Sequence, residues 1–301
     1  MDTSRYRAFI EAIDTGSLSK AAKSLGYTPS GVSQLVQALE RELGFSVLER
    51  SKQGVSPTEN GKKVLPVIRA IVSNEDNLIQ YSAEVKGLST GCVTIGSYPS
   101  IATHWLPRII KDFHKRFPGI EIRIMEGIHQ EVEEWIMTNK VDIGFMSYYE
   151  PMQLDWIPLA KDTMVAILPL NHPYADKEAF PISACDGVDF IMPANGNDVD
   201  ILNMLKRYNL KPNLAYQTLE NAATLSMVEQ NMGISIMNSL VTRRFDFKIA
   251  KIPVEPRQTI QLGVAATNLK SASPATKHFV DFTVKCFNKA SMSDLGFSEN
   301  F

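Results

Sequence analysis

The 301-residue chain is 44% hydrophobic and 21% charged, with 31 Lys and Arg against 33 Asp and Glu, a formal net charge of −2. That length accommodates about two domains at roughly 150 residues each, and no apolar run approaches the ~20 residues needed to cross a bilayer, so no membrane partner is expected. Met1–Arg5 has no basic segment leading into an apolar one, so export is not expected and a cytoplasmic location is. Cys92, Cys185 and Cys286 are far apart and odd in number, which fits reduced thiols rather than a disulfide framework.

In chain order, the first predicted helix carries Leu18, Ala21, Ala22 and Leu25 on one face, entered through Ser17 and ended by Gly26. Thr28-Pro29 supplies a capping side chain and a proline at the first helical position. The next helix buries Val32, Leu35, Val36, Leu39 and Leu43 before Gly44 closes it. Its other face shows Ser30, Ser33, Gln34, Gln37 and Arg41. Gly26, Tyr27 and Thr28 separate the two helices, the spacing of a helix-turn-helix. An αα-hairpin with a merely solvated polar face fits the same spacing. The segment after Gly44 favours the first reading: Phe45–Arg50, a turn at Lys52-Gln53-Gly54 and Val55–Pro57 form a β-ribbon wing, with Arg50 and Lys52 placed to reach phosphates. On the helix face, Gln34 or Gln37 suits an adenine edge, and Ser30 and Ser33 suit base or phosphate. From Met1 to Lys63 there are nine Lys and Arg (5, 7, 20, 23, 41, 50, 52, 62, 63) against seven Asp and Glu (2, 11, 14, 40, 42, 49, 59). A single unit with so little excess charge binds DNA weakly, and linked copies would repair that.

Thr58 to about Lys86 reads as one long helix. Val64, Ile68, Ile71, Leu78 and Val85 follow a 4-3 spacing that suits a coiled-coil partner, most simply a second copy of the chain, and Pro66 predicts a kink near its start. Gly87–Gly91 marks a hinge. Beyond it, apolar strands (Val93–Ile95, Ile120–Met125, Val141–Met146) alternate with helices (Thr103–Phe117, Glu131–Thr138). The rhythm restarts with Met164–Leu168, continues through Phe190–Met192, Leu202–Tyr208, Ala215–Thr218, Ala222–Asn231 and Ile234–Met237, and finishes with Ile260–Ala266 and a helix Pro274–Phe287. This predicts a mainly parallel sheet covered by helices, in two lobes with crossovers near Lys161–Met164 and Ala265–Asn268. Ala290–Phe301 reads as a loose polar end.

The Ala21-Ala22 pair, Leu25, Pro29-Ser30-Gly31-Val32-Ser33, Leu39-Glu40, Leu43-Gly44, Glu49-Arg50 and Thr58 through Gly61 resemble the winged helix-turn-helix of LysR-type transcriptional regulators. Order, spacing and total length agree along the whole chain. Two departures stand out: Val47-Leu48 where the family usually has Leu-Phe, and Gln34 and Gln37 where arginines are frequent. The resemblance implies an N-terminal all-α winged helix-turn-helix (1–58), a linker and dimerisation helix (59–89) and a C-terminal α/β effector-binding domain (90–301). That domain is expected to hold two Rossmann-like lobes, periplasmic-binding-protein-like, with lobe 1 at about 90–161 and 267–301 and lobe 2 at about 162–266. It also implies double-stranded promoter DNA as partner, a homodimer through the linker helix assembling to a homotetramer, and RNA polymerase as a further contact.

A cleft between such lobes lies at the carboxyl ends of strands. Ser97, Tyr98, Ser100 and Ile101 end the first strand before a helix, where free backbone N–H groups make an anion site. A simple helix cap would use Ser100 equally well; the family resemblance favours the ligand role. Further candidates at matching positions are Gly127 and His129, Ser147 and Tyr148, Pro193 and Asn195, and Gly233, with Met192 adding bulk. The helix terminus suggests a small anionic effector. No cofactor or metal is expected: the five histidines lack a ligand spacing, and neither a G-x-S-x-G elbow nor a phosphate-loop lysine motif occurs, so catalysis is not expected. The competing reading is a small-molecule-binding protein of the solute-binding class whose helix-turn-helix serves protein contacts. A free-standing protein of that class would show an export signal and no wing.

Overall fold

A computed structural model describes residues 3–52, 54–243 and 245–289. The chain starts with a helix that the sequence pattern did not predict, α1 (Ser4–Thr15), whose Ala8, Phe9 and Ala12 are fully buried. It packs on α2 (Leu18–Leu25) and α3 (Pro29–Leu43), and together they bury Ala21, Ala22, Val32, Val36 and Leu39. The caps form as predicted: Ser17 accepts from Lys20 N–H and Thr28 from Gly31 N–H, while Gly26 and Gly44 turn left-handed at the helix ends. The wing is β1 (Leu48–Ser51) paired antiparallel with β2 (Gly54–Pro57). Gln53 at its tip lies outside the described residues, as does the segment from Ala290 to Phe301. Gly54 is needed where it stands: a Cβ there would sit 2.4 Å from Gly16 O, which instead accepts the Val55 N–H at 3.0 Å.

The long helix is α4 (Glu59–Val85), a single helix of 27 residues that runs on through Pro66. Three ion pairs bolt it to α1. Arg69, only 7% exposed, meets Asp14 at 2.5 and 3.0 Å, and Arg7 reaches Asp76 at 2.6 Å and Glu75 at 3.0 Å. The apolar seam divides differently from the predicted one. Val64 and Ile68 turn inward onto the helix-turn-helix core. The outward stripe is Val67, Ile71, Leu78, Tyr81 and Val85, which are 40–89% exposed. Further along, Gln80 and Tyr81 seat α4 on the second domain, where the Ala275 N–H donates to Gln80 and the Tyr81 hydroxyl to Ala272 O.

That domain has two lobes sharing one long strand. In lobe 1, β3 (Gly91–Ser97) pairs parallel with β4 (Ile120–Glu126) and β5 (Ile143–Ser147). Helices α5 (Pro99–His104), α6 (Leu106–Arg116) and α7 (His129–Met137) cover this sheet. The predicted Thr103–Phe117 helix is in fact two, broken at Trp105, two residues before Pro107, which has no N–H to carry on the hydrogen bonds of α5. Strand β6 (Asp155–Pro169) then runs 15 residues through both lobes, far longer than the Met164–Leu168 core read from sequence.

Lobe 2 contains β7 (Phe180–Pro181), β8 (Asp189–Met192), α8 (Val199–Arg207), β9 (Asn213–Gln217), α9 (Asn221–Glu229), β10 (Ser235–Asn238) and β11 (Ile249–Glu255). The chain returns through β12 (Thr259–Ala266) and ends in α10 (Pro274–Lys289), which packs on lobe 1. Because β12 pairs antiparallel with β5 and with Asp155–Thr163 of β6, it belongs wholly to lobe 1. The return crossing therefore falls at Pro256–Gln258, where the Met164 N–H meets Gln258 O, and not near Ala265–Asn268. The sheet is correspondingly mixed rather than mainly parallel, since β10 and β11 also run antiparallel to β6.

Candidate functional site

The first site is the exposed face of α3 with the wing beside it. Gln34, Gln37 and Arg41 are exposed and line a shallow groove with Glu40 and Ser46. Ser30 is exposed and lies 3.0 Å from the Thr28 cap. Ser33 accepts from the Arg50 guanidinium at 2.8 Å, which holds that wing arginine against the recognition face. Lys52 is exposed at the wing tip. Glu40, to which the sequence pattern assigns no role, fixes the wing: its Oε1 accepts from Val47 N–H at 2.8 Å and Leu48 N–H at 3.3 Å. A groove-facing helix with polar side chains and a flanking basic wing is the arrangement that reads base edges while holding phosphates.

The second site is the cleft between the lobes, which encloses about 80 Å³ and opens to solvent. Tyr98, Pro99, Ser100, Gly127, Ile128 and His129 line it from lobe 1. Pro193, Ala194, Asn197, Asp198, Val199, Asp200, Leu219 and Asn221 face them, with Asn238 and Val241 at the hinge. Gln130 of α7 donates to Asn197 O at 3.1 Å across the mouth.

Of the residues singled out in the sequence, Tyr98, Ser100, Gly127, His129 and Pro193 meet here. Others stand elsewhere. Ile101 is fully buried in the lobe 1 core, and Ser97 is buried with its hydroxyl on Tyr98 O. Ser147 lies behind Tyr98, at 3.0 Å from its hydroxyl, and Tyr148 turns out onto Trp156. Asn195 is exposed in a left-handed turn, and Gly233 packs against Asp189 O in lobe 2.

Asp198 and Asp200 carry no signal in the sequence pattern, and they change the electrostatics. Asp198 caps α8 by accepting the Ile201 N–H at 3.0 Å, and burial raises its carboxyl above the ordinary range. Asp200 is pushed up to about 7 by burial and by its neighbour Asp198, with the Ser147 hydroxyl beside it working the other way. Burial lowers the His129 imidazole, and burial together with Asp200 raises the Tyr98 phenol well above its usual value. No lysine or arginine lines the cleft among the described residues.

The anionic ligand expected at the end of β3 meets no lysine or arginine in this lining among the described residues. Helix α5 is six residues long and Pro99 removes one of its first-turn donors. The start of α7 is occupied by its own Glu131, which takes the Ile128 N–H at 2.9 Å, and that of α8 by Asp198. Resident carboxylates thus occupy the starts of α7 and α8. The cysteines offer no sensing pair: burial pushes the Cys185 thiol up to about 12 and raises Cys92 as well, away from thiolate reactivity.

A winged helix-turn-helix joined by a long helix to a two-lobed, clefted α/β domain defines a regulator that couples DNA to a small molecule. The family described as bacterial regulatory helix-turn-helix protein, lysR family, matches residues 3–62, and the LysR substrate binding domain matches residues 86–286. The chain is 30% identical over 285 residues to YoaU, an uncharacterized HTH-type transcriptional regulator of Bacillus subtilis (strain 168), covering 93% of this chain and 97% of YoaU. Full-length OxyR from Pseudomonas aeruginosa has the same fold at a TM-score of 0.73 and 17% identity, covering 97% of this chain and 96% of that one. CbnR complexed with its target DNA does so at 0.64 and 17%, covering 95% and 99%. The chain belongs to the LysR family of DNA-binding transcriptional regulators with an effector-binding domain.

Proposed function

We propose that the protein binds operator DNA as an oligomer, laying α3 of paired copies into major-groove half-sites about one helical turn apart or a multiple of it. In this reading Gln34 and Gln37 face base edges, Ser30 and Arg41 serve base or phosphate, and Arg50 and Lys52 hold phosphates. The observation that carries it is the 2.8 Å bond from Arg50 to Ser33, which ties the wing's cation to the recognition helix before DNA arrives. Preorganisation of this kind matters for a unit with so small an excess of positive charge.

Pairing runs through α4. Within the outward stripe, Val67, Ile71, Leu78 and Val85 keep coiled-coil spacing and are apolar and exposed, which supports a second copy as their cover. Two such dimers make the tetramer. The effector enters the inter-lobe cleft and acts through its differential affinity for two arrangements of the assembly. The protein works where its promoter DNA is, in the cytoplasm.

Capture of genomic DNA on the purified full-length protein at near-physiological salt tests this reading. A recurrent, roughly palindromic site supports it. No enrichment over bulk DNA, with the protein folded and oligomeric, would sink it.

A further inference from the structure

Asp200 enters the cleft from the first turn of α8 in lobe 2 and hydrogen-bonds to Ser147 at the end of β5 in lobe 1. The Ser147 hydroxyl lies 3.0 Å from the Tyr98 hydroxyl, which lies 2.6 Å from His129 Nδ1. Three contacts in a row need one hydrogen each. When Asp200 is ionised, as it is beside a cation, it has no hydrogen to give, so Ser147 donates to Asp200, Tyr98 donates to Ser147 and His129 donates from Nδ1 to Tyr98; a protonated Asp200 reverses all three. In that ionised state the chain assigns the tautomer: the imidazole is neutral, with a lone pair at Nε2.

That lone pair is the second observation. His129 lines the cleft, is only 6% exposed, and its Nε2 has no hydrogen-bond partner among the described residues. A buried acceptor left open is costly and calls for a donor. The cleft's charged side chains are Asp198 and Asp200, so its strong groups are all acceptors.

On the reading of this cleft as the effector site, we propose that its ligand is a small compound bearing a protonated amine or guanidinium, which donates to Asp200 and to His129 Nε2. A cation there completes both acceptors at once through charge-assisted bonds. Leu219 and Val241 give apolar wall for a short carbon chain, and Asn221 an amide for its far end. Without that cation a proton takes its place, which is the physical meaning of an Asp200 carboxyl pushed up to about 7.

Diaminobutane, butanediol and succinate share one carbon span and differ in the charge at its ends. Their binding to the full-length protein is measured by calorimetry across the Asp200 titration. Diaminobutane is expected to bind while succinate does not, and its affinity should rise as pH passes about 7, because protons compete with a cation for Asp200. Asp200→Asn should weaken it about ten- to a hundredfold. The pH series is read on the unaltered chain, so a poorly folded variant does not decide the matter. Succinate or butanediol binding as tightly as diaminobutane overturns the charge assignment and leaves the cleft a ligand site. Diaminobutane that fails to bind, or binds indifferently to pH and to Asp200→Asn, overturns it as well. Operator capture without ligand tests the DNA reading separately.

Discussion

Glu40→Ala should loosen the wing without unfolding the helix-turn-helix. The Glu40 carboxylate accepts from Val47 N–H at 2.8 Å and from Leu48 N–H at 3.3 Å. A hydrogen bond to a charged group contributes about 1.5–3 kcal/mol net; the second bond lies beyond the usual range and counts for roughly half of that. Val47 is fully buried, so its N–H cannot turn to water once the carboxylate is gone. The loss is therefore about 2–4 kcal/mol, against a few tenths regained from alanine's helix propensity. At 1.4 kcal/mol per factor of ten, the two amides should exchange with deuterium roughly 30- to 1000-fold faster when exchange proceeds by local opening. Amides of α1 and α2, which do not depend on Glu40, should keep their protection. Glu40→Gln keeps one acceptor oxygen and should lose about half as much. Arg50 lies two residues beyond Leu48, so DNA affinity should fall along with wing protection. If Val47 and Leu48 in Glu40→Ala exchange within a few-fold of the wild type, Glu40 does not anchor the wing and its placement needs another cause.

The remaining predictions concern readout, assembly and the cleft. Gln34→Ala should cost about 1–3 kcal/mol of discrimination at one base position while sparing non-specific binding, whereas Lys52→Ala should weaken both and lower the salt slope by about one; competition with scrambled DNA separates the two. Leu78→Glu places a charge in the outward stripe of α4, where the side chain is 64% exposed, and should dissociate the oligomer in sedimentation while leaving the monomer's helicity intact. Asp200→Asn should stabilise the ligand-free protein at pH 8 and do little at pH 4. The folded carboxyl holds its proton up to about 7 while the unfolded one releases it near 3.8, so between those values folding binds a proton and stability falls as pH rises. The variant removes that slope, and a thermal-unfolding series that stays parallel for the two proteins would contradict it.

How much of the fold and the sites is visible in the residues depends on how local each signal is. The α2–α3 pair announces itself through short-range chemistry: Ser17 and Thr28-Pro29 at the starts, Gly26 and Gly44 at the ends, and apolar residues at helical spacing. Helix α1 lacks those marks. Thr3 makes no side-chain cap and the first turn carries no acid, so only its small buried face and Gly16 at its end could show it. The outward stripe of α4 is easily misassigned because Val64 and Ile68 keep the same 4-3 rhythm, and nothing in a period reveals which face the wing domain covers. Strand β6 hides its length behind Pro158, Lys161 and Asp162, residues that ordinarily argue against a strand interior. Asp162 is tolerated at the crossing because Asn238, Ser239 and the Leu240 N–H all donate to it.

The cleft is the case where local reasoning stops short. A strand ending in Ser and Thr before a helix is a sound anion signal taken alone, and Asp198-Val199-Asp200 taken alone is an ordinary acidic helix start. They face each other only because β6 and the return through Pro256–Gln258 bring two lobes together. Once they do, the sum decides: a six-residue helix shortened in donors by Pro99 confronts two carboxylates with no lysine or arginine in the lining among the described residues. Coulomb energy in a partly enclosed cleft is several-fold larger than in water, so carboxylates in the lining weigh against an anion more than one short helix terminus favours it. The sign of the cleft is therefore a property of tertiary structure. Fold resemblance to relatives carries the architecture and leaves that sign to the side chains of each chain.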